Sequence, residues 1–145
     1  MGVERRAAVR WSGSLMEGSG RIESTGSGAL AGLEVTWASR SEPEEGGRTS
    51  PEELIAAAHA SCYSMALSHA LAGAGSPPDR LEVKATSTFV PGTGITEMKL
   101  DVTGRVSGLE AADFQRFAEQ AKENCPVSQA LKGNVAISLD ARLES

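Results

Sequence analysis

SPEELIAAAHASCYSMALSHALAGAG, residues 50–75, decides the fold. Ser50 fits a helix N-cap, Pro51 the first helical position, and Glu53 stands where it would close a capping box with Ser50. Alanine and leucine fill the interior. Gly73 and Gly75 end the run before Pro77-Pro78. The middle is small and almost uncharged, so this helix should be covered on most sides rather than along one stripe. His59, Cys62, Ser64, Ser68 and His69 interrupt its apolar length. A membrane span needs about 20 predominantly apolar residues, so the segment reads as a buried helix and no span is expected.

The flanking chain alternates in a different period. Upstream, Ala7-Val9-Trp11 alternates with Arg6-Arg10-Ser12, followed by Gly20 to Thr25 and Ala29 to Trp37. Clusters of Gly and Ser separate these runs, which predicts a meander of antiparallel strands. A polar loop is expected from Ser39 to Thr49. Downstream, Leu81, Val83, Ala85, Ser87 and Phe89 alternate with polar residues. So do Met98, Leu100, Val102 and Val106, and Pro91-Gly92-Thr93-Gly94 between the two runs predicts a hairpin. Phe114, Phe117, Ala118 and Ala121 mark an amphipathic helix. After Cys125-Pro126 a short helix, about Val127 to Lys132, precedes a last strand carrying Val135, Ile137, Leu139, Ala141 and Leu143. The class is α+β, with antiparallel sheets packed around a buried central helix, in one domain over residues 1–145.

Composition narrows the function. The 145 residues carry a net charge of -5 and only 4% aromatics. That argues against a phosphate-binding surface and against stacking platforms for bases, so no nucleic-acid partner is expected. The N-terminus, MGVERRAAVRW, has no apolar run fit for export. The expected compartment is the cytoplasm, where thiols stay reduced unless they do redox work. Two cysteines far apart in the chain make no disulfide framework.

Those cysteines are the candidates for chemistry. Cys62 lies mid-helix, where the ordinary role of a cysteine is that of a small core hydrophobe. Burial raises a thiol's pKa, so a reactive Cys62 needs a cation from elsewhere. Cys125 precedes Pro126 and so stands near the N-cap of the short helix. Backbone N–H groups there favour a thiolate, although packing alone would also place a cysteine there. Glu52 lies ten residues before Cys62, about 15 Å along a straight helix. The two meet only if the helix breaks or if two chains pack antiparallel about a two-fold axis. Otherwise Glu52 is an acidic residue favoured by the helix N-terminus. His59 and His69 lie near the Cys62 face of the helix. They leave open a Cys62–His59 thiol hydrolase, a zinc-binding or structural dimer, and plain interior histidines. Arg40 and Arg48 read as solvated loop charges.

Two segments carry a family resemblance. TSPEELIAAAHASCYSMALSHAL, residues 49–71, closely resembles the reactive-cysteine motif of the OsmC/Ohr family, which comprises osmotically inducible protein C and the organic hydroperoxide resistance proteins. AKENCPVSQALKG, residues 121–133, resembles its second-cysteine motif, Cys-Pro-x-Ser. Length and element order fit as well. The Ser-Met-Ala-Leu after HAxC, and Cys-Pro-Val-Ser-Gln, are closer to the OsmC branch than to the Ohr branch.

The resemblance implies an intertwined homodimer with two interface sites. It makes Cys62 the peroxidatic cysteine, Cys125 the resolving one and Glu52 the motif glutamate. Arg40 in TWASRSE matches the family's loop arginine, with Arg48 as the alternative. Arg40 would stabilise the Cys62 thiolate, and Glu52 would hold its guanidinium, by a bidentate pair. The implied activity is reduction of organic hydroperoxides, and of hydrogen peroxide as a further substrate, through a Cys62 sulfenate and a Cys62–Cys125 disulfide. The implied electron donor is an external dithiol of lipoyl type. No bound cofactor and no metal are expected.

Overall fold

A computed structural model describes residues 2–144. The chain divides into two compact units, one up to Leu54 and one from Ile55 onward.

In the first unit β1 (Ala7–Ser12) pairs antiparallel with β2 (Ser19–Thr25), and β2 with β3 (Glu34–Val35). All six residues of β1 are exposed. The third strand is far shorter than the Ala29–Trp37 run suggested. Its first half turns, and Thr36 starts a helix instead, α1 (Trp37–Ser41). The Thr36 hydroxyl accepts the Ser39 N–H, and the Ser39 hydroxyl accepts the Thr36 N–H, both at 3.0 Å. This is a capping box in which serine stands in for the usual Glu or Gln. It converts the start of the expected polar loop into one helical turn.

The long helix is α2 (Pro51–Gly73). Ser50 caps it, its Oγ accepting the Glu53 N–H at 3.1 Å. The return half of the expected box is replaced, because the Glu53 carboxylate takes the Thr49 hydroxyl at 2.7 Å. At the other end Ser76 N–H reaches Leu71 C=O and Gly75 N–H reaches Ala72 C=O, with Gly75 at φ 84°. That is a Schellman stop, and it needs a residue without a Cβ at Gly75.

In the second unit β4 (Arg80–Val90) and β5 (Gly94–Arg105) form the expected hairpin. The chain then crosses through α3 (Ala111–Asn124) and α4 (Pro126–Leu131) to β6 (Ala136–Leu143). β6 lies beside β5 and runs parallel to it. The last strand therefore departs from the all-antiparallel expectation. A helical crossover returns the chain to the starting end of the sheet, and a strand laid down from there runs in the same direction as the one before.

Register brings apolar residues into rows across this sheet: Ala85–Leu100–Leu139, Val83–Val102–Ala141 and Leu81–Gly104–Leu143. Against them pack Tyr63, Leu67 and Leu71 of α2 and Phe114, Ala118 and Ala121 of α3. The Tyr63 hydroxyl donates to Ala118 C=O at 2.9 Å, which satisfies a fully buried phenol. Within one chain the burial of α2 is one-sided. His59, Tyr63, Leu67 and Leu71, spaced four apart, are buried, whereas Met65 is 73% exposed.

Gly104 is the point of closest approach. A Cβ there would sit 2.6 Å from the Phe114 ring. Gly104→Ala is expected to cost about 1–3 kcal/mol through overpacking, read as a lower urea midpoint at unchanged slope.

Candidate active site

Two pairs of side chains stand out, one in each unit. The first is Arg40 with Glu52. The α1 capping box orients Arg40, which lies in the last turn of that helix. The Ser39 hydroxyl also donates to Thr49 C=O at 2.8 Å, and Thr49 N–H donates to Glu34 C=O at 2.9 Å. These bonds tie α1 to the chain entering α2, so Arg40 Nε reaches Glu52 Oε1 at 2.7 Å. Glu52 is 6% exposed. The contact through Nε is charge-assisted, but the bidentate pair expected from sequence is not formed. Glu52 Oε2 is buried with no hydrogen-bond partner among the described residues. Arg48, the alternative arginine, instead faces Glu34 at 3.4 Å on the surface.

The second pair is Cys62 with Cys125. Cys125 ends α3 and begins α4, its N–H on Ala121 C=O and its own C=O accepting Gln129 N–H. It is fully buried, whereas Cys62 is half-buried, and both thiols are free. Cys62 packs against the buried cluster that includes Cys125. Burial pushes the Cys62 thiol up, the Val127 N–H pulls it down, and Cys125 pushes it up again. A thiol packed against the cluster that holds a second thiol at a helix start is placed for disulfide formation.

The histidines separate. His59 is fully buried, and its Nε2 pairs with Ser128 Oγ at 2.8 Å. Burial lowers its pKa, which favours the neutral imidazole. Its Nε2 is thus engaged by a serine on α4. His69 is exposed and lines an open groove with Met65 and Arg80. Among the described residues no group of three or more His, Cys, Asp or Glu is placed to hold a metal ion. Reading the sequence missed Val127 and Ser128. Ser128 was visible inside Cys-Pro-x-Ser, but a backbone donor such as Val127 N–H leaves no mark in a residue pattern.

Comparison with known proteins adds the kinship. The model of the OsmC-like protein family matches residues 44–140. The chain is also 38% identical to peroxiredoxin OsmC of Escherichia coli K12 over 148 aligned positions, covering 100% of both. The chain belongs to the OsmC-like family. An organic hydroperoxide resistance protein-like 2 of Staphylococcus epidermidis is 32% identical over 97 residues, 66% of this chain and 68% of that one. The OsmC relative is thus matched over its full length and the Ohr-type relative over part, in keeping with the branch that the motifs indicated.

Solved structures share the fold. An OsmC like protein from Mycoplasma pneumoniae superposes with a TM-score of 0.74 at 14% identity, covering 100% of both chains. An organic hydroperoxide resistance protein OsmC from Legionella pneumophila gives 0.65 at 24%, covering 97% of each. Glu52, Cys62 and Cys125 fall inside the segment matched by the OsmC-like family model, and Arg40 just before it.

Proposed function

We propose that this protein is a cysteine-based peroxidase that reduces organic hydroperoxides to alcohols. The observation that carries the reading is a pair of free thiols in one unit, half-buried Cys62 packed against the core cluster that holds buried Cys125 at the start of α4. The names of the relatives, a peroxiredoxin and hydroperoxide resistance proteins, point the same way. The Cys62 thiolate attacks the distal oxygen of ROOH and the O–O bond breaks. The alkoxide leaves and takes a proton to become ROH. Cys62 is now a sulfenic acid. The Cys125 sulfur attacks it, the S–S bond forms, and water departs with the sulfenic oxygen. An external dithiol, of lipoyl type, returns both cysteines to thiols and is itself oxidised to a disulfide. The cycle calls for no bound metal, flavin or haem.

The working form is a homodimer acting in the cytoplasm, each chain serving as one domain. Two features of the single chain support a second copy: the open apolar side of α2 around Met65, and β1 with Val9 and Trp11 exposed. No helix among the described residues is long and apolar enough to cross a membrane. Because α2 is unbroken, we assign Glu52 and Arg40 of one chain to Cys62 of the other, where the guanidinium stabilises the thiolate.

The test is consumption of cumene hydroperoxide and of hydrogen peroxide in the presence of a dithiol. Turnover with preference for the organic peroxide is expected; consumption of neither would refute the reading. Mixed dimers then test the assignment between chains. When one chain carries Cys62→Ser and the other Glu52→Gln, the site with an intact Cys62 also receives an intact Glu52. Such dimers should be active, and inactive ones would place Glu52 in the same chain as the Cys62 it serves.

A further inference from the structure

The buried His59–Ser128 pair has no part in the scheme above. His59 is fully buried and Ser128 3% exposed, and their bond joins residues 69 positions apart in sequence. Its place in the two helices is what matters. His59 lies three residues before Cys62 on α2. Ser128 lies three residues after Cys125, at the third position of α4. Residues three apart on a helix share a face. His59–Ser128 and Cys62–Cys125 are therefore neighbouring rungs between the same two helices. Val127, whose backbone N–H pulls the Cys62 thiol pKa down, sits between Cys125 and Ser128 on the α4 rail.

We propose that His59 and Ser128 are positioning residues for the dithiol. Their bond pins the first turn of α4 against the turn of α2 that carries Cys62. It thereby sets how the Val127 N–H faces Cys62 and the distance that Cys125 must cross to close the disulfide. α4 has only six residues, too few to hold itself in place by its own hydrogen bonds, so its register depends on such a tie. The pair touches no substrate. The proposal rests on the peroxidase reading for its role in turnover, but the geometry of the dithiol can be read without any peroxide.

The experiment compares wild type, Ser128→Ala and Ser128→Thr, the last retaining the hydroxyl. Circular dichroism and a urea midpoint establish that each is folded. Two readouts follow: the pH profile of Cys62 alkylation by iodoacetamide, and the rate of Cys62–Cys125 closure by diamide, which takes up the two electrons and two protons of the dithiol. In Ser128→Ala the alkylation midpoint should move to higher pH, because the thiolate loses a fixed donor. Closure should slow about tenfold, the factor carried by one ordinary hydrogen bond. Ser128→Thr should recover both. Unchanged profile and closure rate in Ser128→Ala would overturn the proposal, and so would equal defects in Ser128→Ala and Ser128→Thr. Should Ser128→Ala fail to fold, His59→Leu, which removes the ring nitrogens at similar volume, is read by the same two measurements and the same criteria. If wild type closes with diamide but consumes no peroxide, the peroxidase reading fails while the positioning role is still decided.

Discussion

Cys62→Ser is expected to lower peroxide consumption by about a thousandfold or more, the scale on which removing a lone nucleophile acts. A serine hydroxyl is not ionised near neutral pH, and no other thiol takes the place of Cys62, because Cys125 is fully buried at the junction of α3 and α4. Cys125→Ser should behave differently. The first equivalent of peroxide should be consumed at near wild-type rate, since Cys62 and the Val127 N–H remain. The cycle should then stall with any donor unable to attack a sulfenic acid. Stalled Cys62 should proceed to sulfinic acid under excess peroxide, visible by mass. Rapid-mixing kinetics separate the two variants. Steady turnover by Cys62→Ser, or undiminished cycling by Cys125→Ser with a donor that only exchanges disulfides, would exclude the two-cysteine mechanism.

The second large effect concerns Arg40. Within its own chain Cys62 is pushed up by burial and by Cys125, with only the Val127 N–H pulling it down. A cation brought by a partner chain would pull the thiol back down. Each unit of that shift changes the thiolate fraction about tenfold at a pH below the thiol pKa. Arg40→Met should therefore slow the reaction with peroxide by about ten- to a thousandfold at neutral pH. The sign is testable: the rate of Arg40→Met should climb toward wild type as pH rises and the thiolate is restored. A parallel loss at every pH would mean that Arg40 acts by some other route. Arg40→Met should also destabilise the fold by about 3 kcal/mol, since Glu52 stays buried without its partner. The double variant Arg40→Met/Glu52→Gln should recover part of that stability and none of the rate, which separates folding from chemistry.

How far these residues could be read without coordinates differs from element to element. α2 was legible because its signals are local: Ser50 before Pro51, an interior rich in alanine and leucine, and glycines at the stop. The β4–β5 hairpin was legible from period-two alternation around Pro91 to Gly94. The direction of β6 was not. Its alternation fixes a strand with one buried face but carries no information about which way the strand runs beside β5. α1 was missed because its capping box uses Ser39 where Glu or Gln is the usual signature, and because Thr36 and Trp37 favour strands. At the site, the cysteines and Glu52 were found by residue type and motif. Arg40 was placed before Arg48 by resemblance alone, and the physical reason, a turn of helix that seats Arg40 on Glu52, was hidden. The Val127 N–H and the His59–Ser128 rung depend on how α4 lies against α2, a tertiary fact with no local signature.

Cys62 and Cys125 are expected to act as one redox unit. Fully reduced protein mixed with a single equivalent of cumene hydroperoxide, quenched with an alkylating agent and analysed by peptide mass spectrometry tests it most directly. One cross-linked peptide pair joining Cys62 to Cys125 is expected, two hydrogens lighter than the reduced peptides, with both cysteines protected from alkylation. Two fully alkylated thiols, or an oxidised Cys62 beside an alkylated Cys125, would contradict it.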